Sequence, residues 1–389
     1  MRSTDEVRAG QVPLRSGPTA AGPAVNLTRR PLLRRLLLGA AIIVLFIVSA
    51  LLLSVAIGVE VGGQAALLGV LFAVLPVGIV VPALMWLDRF EAEPIRYLLF
   101  AFGWGALVAT TVSIVLNTGS LIVLSNVGID AEAVGAVMIA PVVEESLKGL
   151  AVLLILWFRR SEFDGVIDGI VYAGVTAAGF AFAENILYLG RAYAEMGAQG
   201  LVGLFVIRGL IGPFAHPLFT MWTGVGVGIA ATRTRGALRW TAPIGGLLVA
   251  MLLHGLWNLA AVAGIEGFWS SYLLLQVPIF LGALAFVSWQ RRREGRLIGA
   301  SLAIYADYGW LSAAEVEMLG SLRARKEARR WAARVGGRRA KRAMIAFQDD
   351  ASGLALLRVR MSHGSAGPEA PALERQLLHT MTRCRAALP

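Results

Sequence analysis

Apolar runs of about twenty residues or more recur along this chain, and no other feature constrains its fold as tightly. Wound as a helix rising about 1.5 Å per residue, such a run crosses the roughly 30 Å of hydrocarbon in a bilayer. Eight runs are read: 36–59, 64–87, 97–124, 133–157, 164–190, 200–230, 241–263 and 272–290. Hydrocarbon offers no partner to a backbone N–H or C=O, so a spanning segment satisfies these groups internally, as a helix does. Helices buried in a soluble protein keep a polar face, and these runs mostly lack one. At 57% hydrophobic residues the chain exceeds the roughly 45–50% of an ordinary soluble domain. The fold class expected is all-α: a polytopic membrane bundle of about eight transmembrane helices.

Eight crossings return the chain to its starting side, and the arginines name that side as cytoplasmic. Arg29, Arg30, Arg34 and Arg35 precede the first run. Arg89 and Arg96, Arg159 and Arg160, and Arg233, Arg235 and Arg239 follow in alternate loops, and Arg291, Arg292, Arg293 and Arg296 end the last run. The intervening loops near 60–63, 125–132 and 264–271 hold no Lys or Arg, and the remaining one holds Arg191. Both termini are therefore expected in the cytoplasm. The first run is too long for the core of a cleavable signal peptide and reads as an anchor. Three domains are expected: a disordered cytoplasmic segment 1–30, a membrane domain 31–295, and a basic cytoplasmic tail 296–389.

Most of the net charge of +11 lies in the tail, since residues 291–389 hold 19 Lys and Arg against 9 Asp and Glu. Beside a membrane, such charge favours anionic lipid. No nucleic-acid motif accompanies it, so a nucleic-acid partner is not expected. Residues 311–348 alternate apolar and basic positions at near-helical spacing, interrupted at Gly336-Gly337. They read as amphipathic helices lying on the membrane or packed on its cytoplasmic loops. The single cysteine, Cys384, excludes an intrachain disulfide and argues against a zinc–thiolate site.

Ionisable groups inside apolar runs are costly and mark function by default. The fourth run holds Glu144, Glu145 and Lys148, and the lysine falls on the helical face of its two acids at spacings of four and three. Two adjacent buried carboxylates do not both ionise cheaply, so pairing one with the lysine frees the other to act as a base. The fifth run holds Asp164 and Asp168 near one end and Glu184 deeper; Asp164 reads as a helix cap and Asp168 as a supporting residue. The sixth holds Arg208, a counter-charge for Glu184 or for a substrate, then His216 between Pro213 and Pro217, where the helix should break. Gly209, Gly212 and Gly226 beside it are expected to give access, Gly224 and Gly228 to pack helices closely. The seventh holds His254 and Asn258 on one helical face. On the expected topology these groups lie within about 10–15 Å of one another in depth, a convergence that points to a shared site.

Two chemistries suit the set. A metal such as Zn²⁺, held by His216, His254 and a glutamate such as Glu184, would activate water. Alternatively Glu144 acts as general base, with His254 and Asn258 donating to an oxyanion. No HExxH motif is present, and the residues leave both open, so the cofactor is none or Zn²⁺.

Glu144-Glu145-x-x-Lys148, Phe180-x-x-x-Glu184-Asn185, His216 and His254-x-x-Trp257-Asn258 together resemble the PrsW membrane proteases, as does the loop Asp88-Arg89-Phe90-Glu91-Ala92-Glu93-Pro94. The resemblance covers about residues 64–290 and extends weakly into the tail around 305–355. It implies an intramembrane peptidase in the wider superfamily of type II CAAX prenyl endopeptidases and bacteriocin self-immunity proteins. It also implies a single-pass membrane substrate such as an anti-sigma factor. Carried over by position, Glu144 is the base, Glu145 its partner, and His254 with Asn258 the oxyanion donors. The chain departs at the second motif, where Glu184 stands in place of a histidine. That leaves His216 to supply the imidazole, or Glu184 to act through a shared proton or a metal. The bias to arginine over lysine, with Lys148, Lys326 and Lys341 the only lysines, fits a GC-rich bacterium, and the bacterial cytoplasmic membrane is the location expected. The main alternative is a proton- or ion-coupled transporter, which also places carboxylates and histidines at mid-membrane. A scaffold working through its basic tail is the other.

Overall fold

A computed structural model of the chain describes residues 32–126, 130–160, 163–232 and 236–389. The expected disordered segment 1–30, with Arg29 and Arg30, and the loop residues Arg233 and Arg235 lie outside the described residues. The chain divides into two units, residues 1–44 and 45–389. Of the first, the described part is the apolar start of helix α1 (Leu32–Val61).

Among the described residues every regular element is helical. After α1 come α2 (Gly63–Leu87), α3 (Ile95–Gly103), α4 (Thr110–Asn126), α5 (Ala131–Val134), α6 (Ala140–Phe158) and α7 (Val166–Phe205). These are followed by α8 (Ala215–Ala231), α9 (Leu238–Val262), α10 (Gly264–Ser271) and α11 (Val277–Asp307). Last come α12 (Ala313–Leu319), α13 (Leu322–Ser362) and α14 (Ala370–Ala386). Single π-helical turns join several of them: Trp104–Ala109 between α3 and α4, Gly135–Ile139 between α5 and α6, Val206–Ile211 after α7, and Tyr272–Gln276 before α11.

Six helical stretches among the described residues are long and apolar enough to cross a membrane: Leu36–Val61, Gly63–Leu87, Ile95–Asn126, Val166–Ala231, Leu238–Val262 and Gly264–Asp307. The chain is thus a multi-pass membrane protein built of helices. Two of the expected runs, 164–190 and 200–230, fall within the single stretch Val166–Ala231, which is interrupted at Gly197 and again at residues 212–214. The run expected at 133–157 is helical as α5 and α6, and it carries Glu144, Glu145 and Lys148.

Helix α7 lies at the centre. Its residues 167–180 are buried throughout, against Val80 and Leu84 of α2, Leu98 and Ala101 of α3, Val152 and Ile155 of α6, and Val227 and Ala231 of α8. In lipid, helices gain little by hiding apolar surface from one another, so close packing of small residues holds them together. A Cβ built on Gly224 of α8 would lie 2.1 Å from the carbonyl oxygen of Gly169 on α7, and one on Gly105 would lie 1.9 Å from that of Thr176. Backbones touch at both points.

The connections sort into two ends. At one end, the loop 88–94, the start of α7 and the tail meet. The tail is a folded helical unit with its own core, in which Ile298, Leu302, Leu319, Phe347, Leu354 and Met381 surround Phe90 from the loop. Gly337, at φ 66°, divides α13 into two arms that pair through Arg329 and Asp349. Buried Arg325 donates to the carbonyl oxygen of Phe90 (3.1 Å), to Ser352 Oγ (2.6 Å) and to the carbonyl oxygen of Gln348. Arg360 pairs with Asp164 at 2.7 Å, and Tyr172 with Glu93. The amphipathic faces read from the sequence thus turn inward onto one another and onto a loop. No break falls at 295/296, because α11 runs through to Asp307. At this end burial pushes the Asp88 carboxyl up to about 7. It pushes Glu91 up as well, reinforced by Asp164 and Asp88 and opposed by Arg360. At the other end lie Glu60, Glu132, Arg191 and Gly264, around the mouth of a cavity.

Candidate active site

The cavity, of about 750 Å³, reaches from that end inward to Glu144, Glu184, His216, His254 and Asn258. The four helices that deliver these groups are α6, α7, α8 and α9. Of the two adjacent glutamates, Glu144 lines the cavity while Glu145 is fully buried behind it.

Glu145 is saturated. Its Oε1 accepts from Lys148 Nζ at 2.9 Å and faces His254 Nδ1 at 3.0 Å, and its Oε2 accepts from Thr220 Oγ1 at 2.8 Å. Glu144 is held loosely, by Lys148 Nζ and Asn117 Nδ2, each at 3.4 Å. An ionised carboxylate only accepts, so His254 carries its hydrogen on Nδ1 toward Glu145. Its Nε2 then presents a lone pair 3.8 Å from Glu144 Oε2. That gap is too long for a direct hydrogen bond and suits one bridging water.

His216 sits at the first turn of α8, just past the break that its flanking prolines foretell. Its Nδ1 lies 3.1 Å from Lys148 Nζ, and its Nε2 lies 2.9 Å from Glu184 Oε2. An ammonium has only hydrogens to give, so Nδ1 accepts and Nε2 donates to the carboxylate. Arg208, on the π turn after α7, closes the far side by donating to Glu184 Oε2 (2.6 Å) and Asn185 Oδ1 (2.7 Å). A continuous polar chain thus runs from Arg208 through Glu184, His216, Lys148 and Glu145 to His254. Lys148 also lies over the Phe180 ring at 3.9 Å.

Glu144, His216 and His254 offer ligand atoms within 4.8 Å of one another, and all three are buried. Each histidine is backed by a carboxylate, His254 by Glu145 and His216 by Glu184, the arrangement that orients and strengthens imidazole ligands. In residue type and spacing the set suits a divalent ion such as Zn²⁺, but the one lone pair of His216 faces Lys148 Nζ at 3.1 Å, so an ion would take it only with that ammonium displaced or deprotonated. Of the trio read from the sequence, both histidines belong to it. Glu184 is engaged by Arg208 and supports His216 from behind, and the carboxylate of the set is Glu144.

Two other expected residues differ in placement. Asn258 lines the cavity, but its Nδ2 donates to the carbonyl oxygen of Ala136 at 2.8 Å, in the π turn before α6. Asp168 stands apart from the site, four turns before Glu184 on α7. Its Oδ2 accepts from the backbone N–H of Gly165 at 2.9 Å and caps the helix. Asn117 and Ser113 of α4, which also line the cavity, were not singled out by sequence; an isolated Asn or Ser in an apolar helix carries no signal of its own.

Comparison with known proteins bears on this geometry. The family model described as "PrsW family intramembrane metalloprotease" matches residues 93–283, which contain every site residue named above. Protease PrsW of Geobacillus kaustophilus is 31% identical over 201 residues, covering 80% of that protein and 51% of this chain. Protease PrsW of Oceanobacillus iheyensis is 29% identical over 211 residues, 87% of that protein and 53% of this chain. Protease PrsW of Bacillus subtilis is 28% identical over 210 residues, 85% of that protein and 54% of this chain. No solved structure matches.

Proposed function

The chain belongs to the PrsW family of intramembrane proteases, and we propose that it cuts a single-pass membrane protein, such as an anti-sigma factor, at the Glu144 end of its cavity. The peptidase activity belongs to the family; the substrate and the roles below are our reading. The observation that carries it is the contrast between adjacent glutamates: one fixed by three donors, the other loosely held and facing a cavity of about 750 Å³.

Glu144 accepts a proton from the water that it shares with His254 Nε2. That water adds to the scissile carbonyl carbon, the C–N bond breaks, and the proton passes to the departing amine. Glu145 and Lys148 fix the His254 ring, and Glu184 and Arg208 fix His216. Asn258, with the second N–H of its amide, is proposed to donate to the carbonyl oxygen as it gains charge, while His254 Nε2 holds the water. A divalent ion held by Glu144, His216 and His254 would supply Lewis acidity at the same place.

The arginine distribution supports the topology: both termini cytoplasmic in a bacterial inner membrane, and the cavity mouth on the outer side. The basic surface of the tail is proposed to meet anionic lipid, with no nucleic-acid partner.

The test is proteolysis in proteoliposomes against a panel of single-pass anti-sigma factors, with the cut mapped by mass. Cleavage within or beside the substrate's membrane segment is expected. Substrate-dependent ion flux without cleavage would favour the transporter instead. Cleavage lost in chelator and restored by Zn²⁺ would assign the ion to the set named above; cleavage that persists would leave the glutamate acting without one.

A further inference from the structure

We infer that Asn117, with Ser113 one turn before it, forms a site for the substrate's peptide backbone, in which Asn117 Oδ1 accepts a substrate N–H while its Nδ2 is directed at Glu144. The inference rests on the reading of Glu144 as the base and extends it to a fifth helix.

The segment leading into α4 is tied to α6. Trp104 Nε1, in the π turn before it, donates to the carbonyl oxygen of Leu147 on α6 at 3.0 Å, and Thr110 Oγ1 donates to that of Gly105 at 2.9 Å. The π turn shifts the face that α4 presents, a local change common near functional sites. Ser113 and Asn117, four apart, then face the cavity together. Asn117 Nδ2 lies 3.4 Å from Glu144 Oε1. The carboxylate decides which way the amide points, because the flipped amide would set two acceptors against each other.

Two polar atoms here have no partner. Asn117 Oδ1 is buried and accepts nothing, and Ser113 Oγ, on a residue only 2% exposed, neither donates nor accepts. Buried polar groups are nearly always satisfied, so a pair left without partners directly behind the lining of a cavity points to a group that reaches them when the cavity is filled. The open atom of Asn117 is an acceptor, so its partner must donate. A transmembrane substrate at its cut site is locally unwound, and its backbone N–H groups are the donors that it brings into hydrocarbon. Asn117 is the cavity amide beside the base whose buried oxygen has no partner.

The test uses a synthetic single-pass substrate and a series of copies in which backbone amides near the cut are replaced, one at a time, by esters that lack the N–H. Wild type and Asn117→Ala are assayed in liposomes, with thermal midpoints measured in parallel. A loss of roughly tenfold in kcat/KM is expected for wild type at one ester position, where one hydrogen bond is removed, and a loss at least as large for Asn117→Ala on the all-amide substrate, which also removes the contact to Glu144. The two losses should not add when variant and ester are combined, which general damage to the fold would not produce. Additive losses, an ester series flat for wild type, or an Asn117→Ala variant as fast as wild type would overturn the inference. Cleavage of the all-amide peptide by wild type bears on the functional reading separately; a wild type that leaves every substrate intact would count against both.

Discussion

Glu144, Glu145 and Lys148 were legible at their spacing, because three ionisable residues on adjoining faces of an apolar helix need one another. Which glutamate faces the cavity was not legible: neighbours on a helix differ by about 100° in direction, and packing against Thr220 and His254 decides between them. Lys148 is fully buried between both acids and His216. A Lys148→Met variant should lose about 3–5 kcal/mol of stability, as when one partner of a buried ion pair is removed. Thermal unfolding in detergent would measure it, and an unchanged midpoint would contradict the assigned network. Outside the membrane helices, Asp88 makes a prediction of opposite character. Its folded-state carboxyl is raised from 3.8 to about 7 by burial, so the folded protein favours the neutral acid. Its contribution is complete below about 4 and is lost as pH rises through about 7. Hydrogen exchange in the loop 88–94 and the tail should accelerate across that window beyond the intrinsic pH effect. Asp88→Asn should flatten part of the change, with the rest left to Glu91, whose carboxyl is raised in the same direction.

The elements were legible to different degrees. Helices longer than the bilayer core follow from the apolar runs, and the break before α8 follows from Pro213 and Pro217. The π turns left no trace in the sequence, since each is a one-residue change in hydrogen bonding that ordinary residues tolerate. Yet they bring Asn117, Ala136 and Arg208 to the cavity. The glycines of α8 were partly legible: Gly224 and Gly228 pack on Gly169 and Gly165, as small residues at a four-residue spacing suggest. Gly226, expected to give access, instead packs against the carbonyl oxygen of Ala242 on α9. A Gly169→Val substitution should force α7 and α8 apart. Because His216 and Glu184 sit on those two helices, it should lower both the thermal midpoint and cleavage. A variant of normal stability and rate would contradict the packing described.

At the scale of the whole molecule, the polar cavity and the folded tail mark two different ends. The cavity opens among loops poor in basic residues, while the tail closes around Phe90 at the opposite end. The tail's amphipathic pattern was visible, but its partner was not, because the same alternation of apolar and basic residues serves a membrane surface or a folded core. The buried Arg325 and the single inserted Phe90 decide for the core. The family match ends at residue 283, before this unit begins, so the tail is an addition to the matched region.

The claim at the centre is that Glu144 performs the chemistry while Glu145 holds the site together. Glu144→Gln and Glu145→Gln, reconstituted side by side with a cleavable single-pass substrate and compared in rate and thermal midpoint, test it most directly. The account predicts that Glu144→Gln keeps the wild-type midpoint and loses at least about a hundredfold in cleavage, the usual scale for a lost general base. Glu145→Gln should lower the midpoint clearly, because the buried Lys148 ammonium loses the charge that balances it and the amide NH₂ replaces one of the two accepting oxygens. A Glu144→Gln enzyme that still cleaves at the wild-type rate would contradict it.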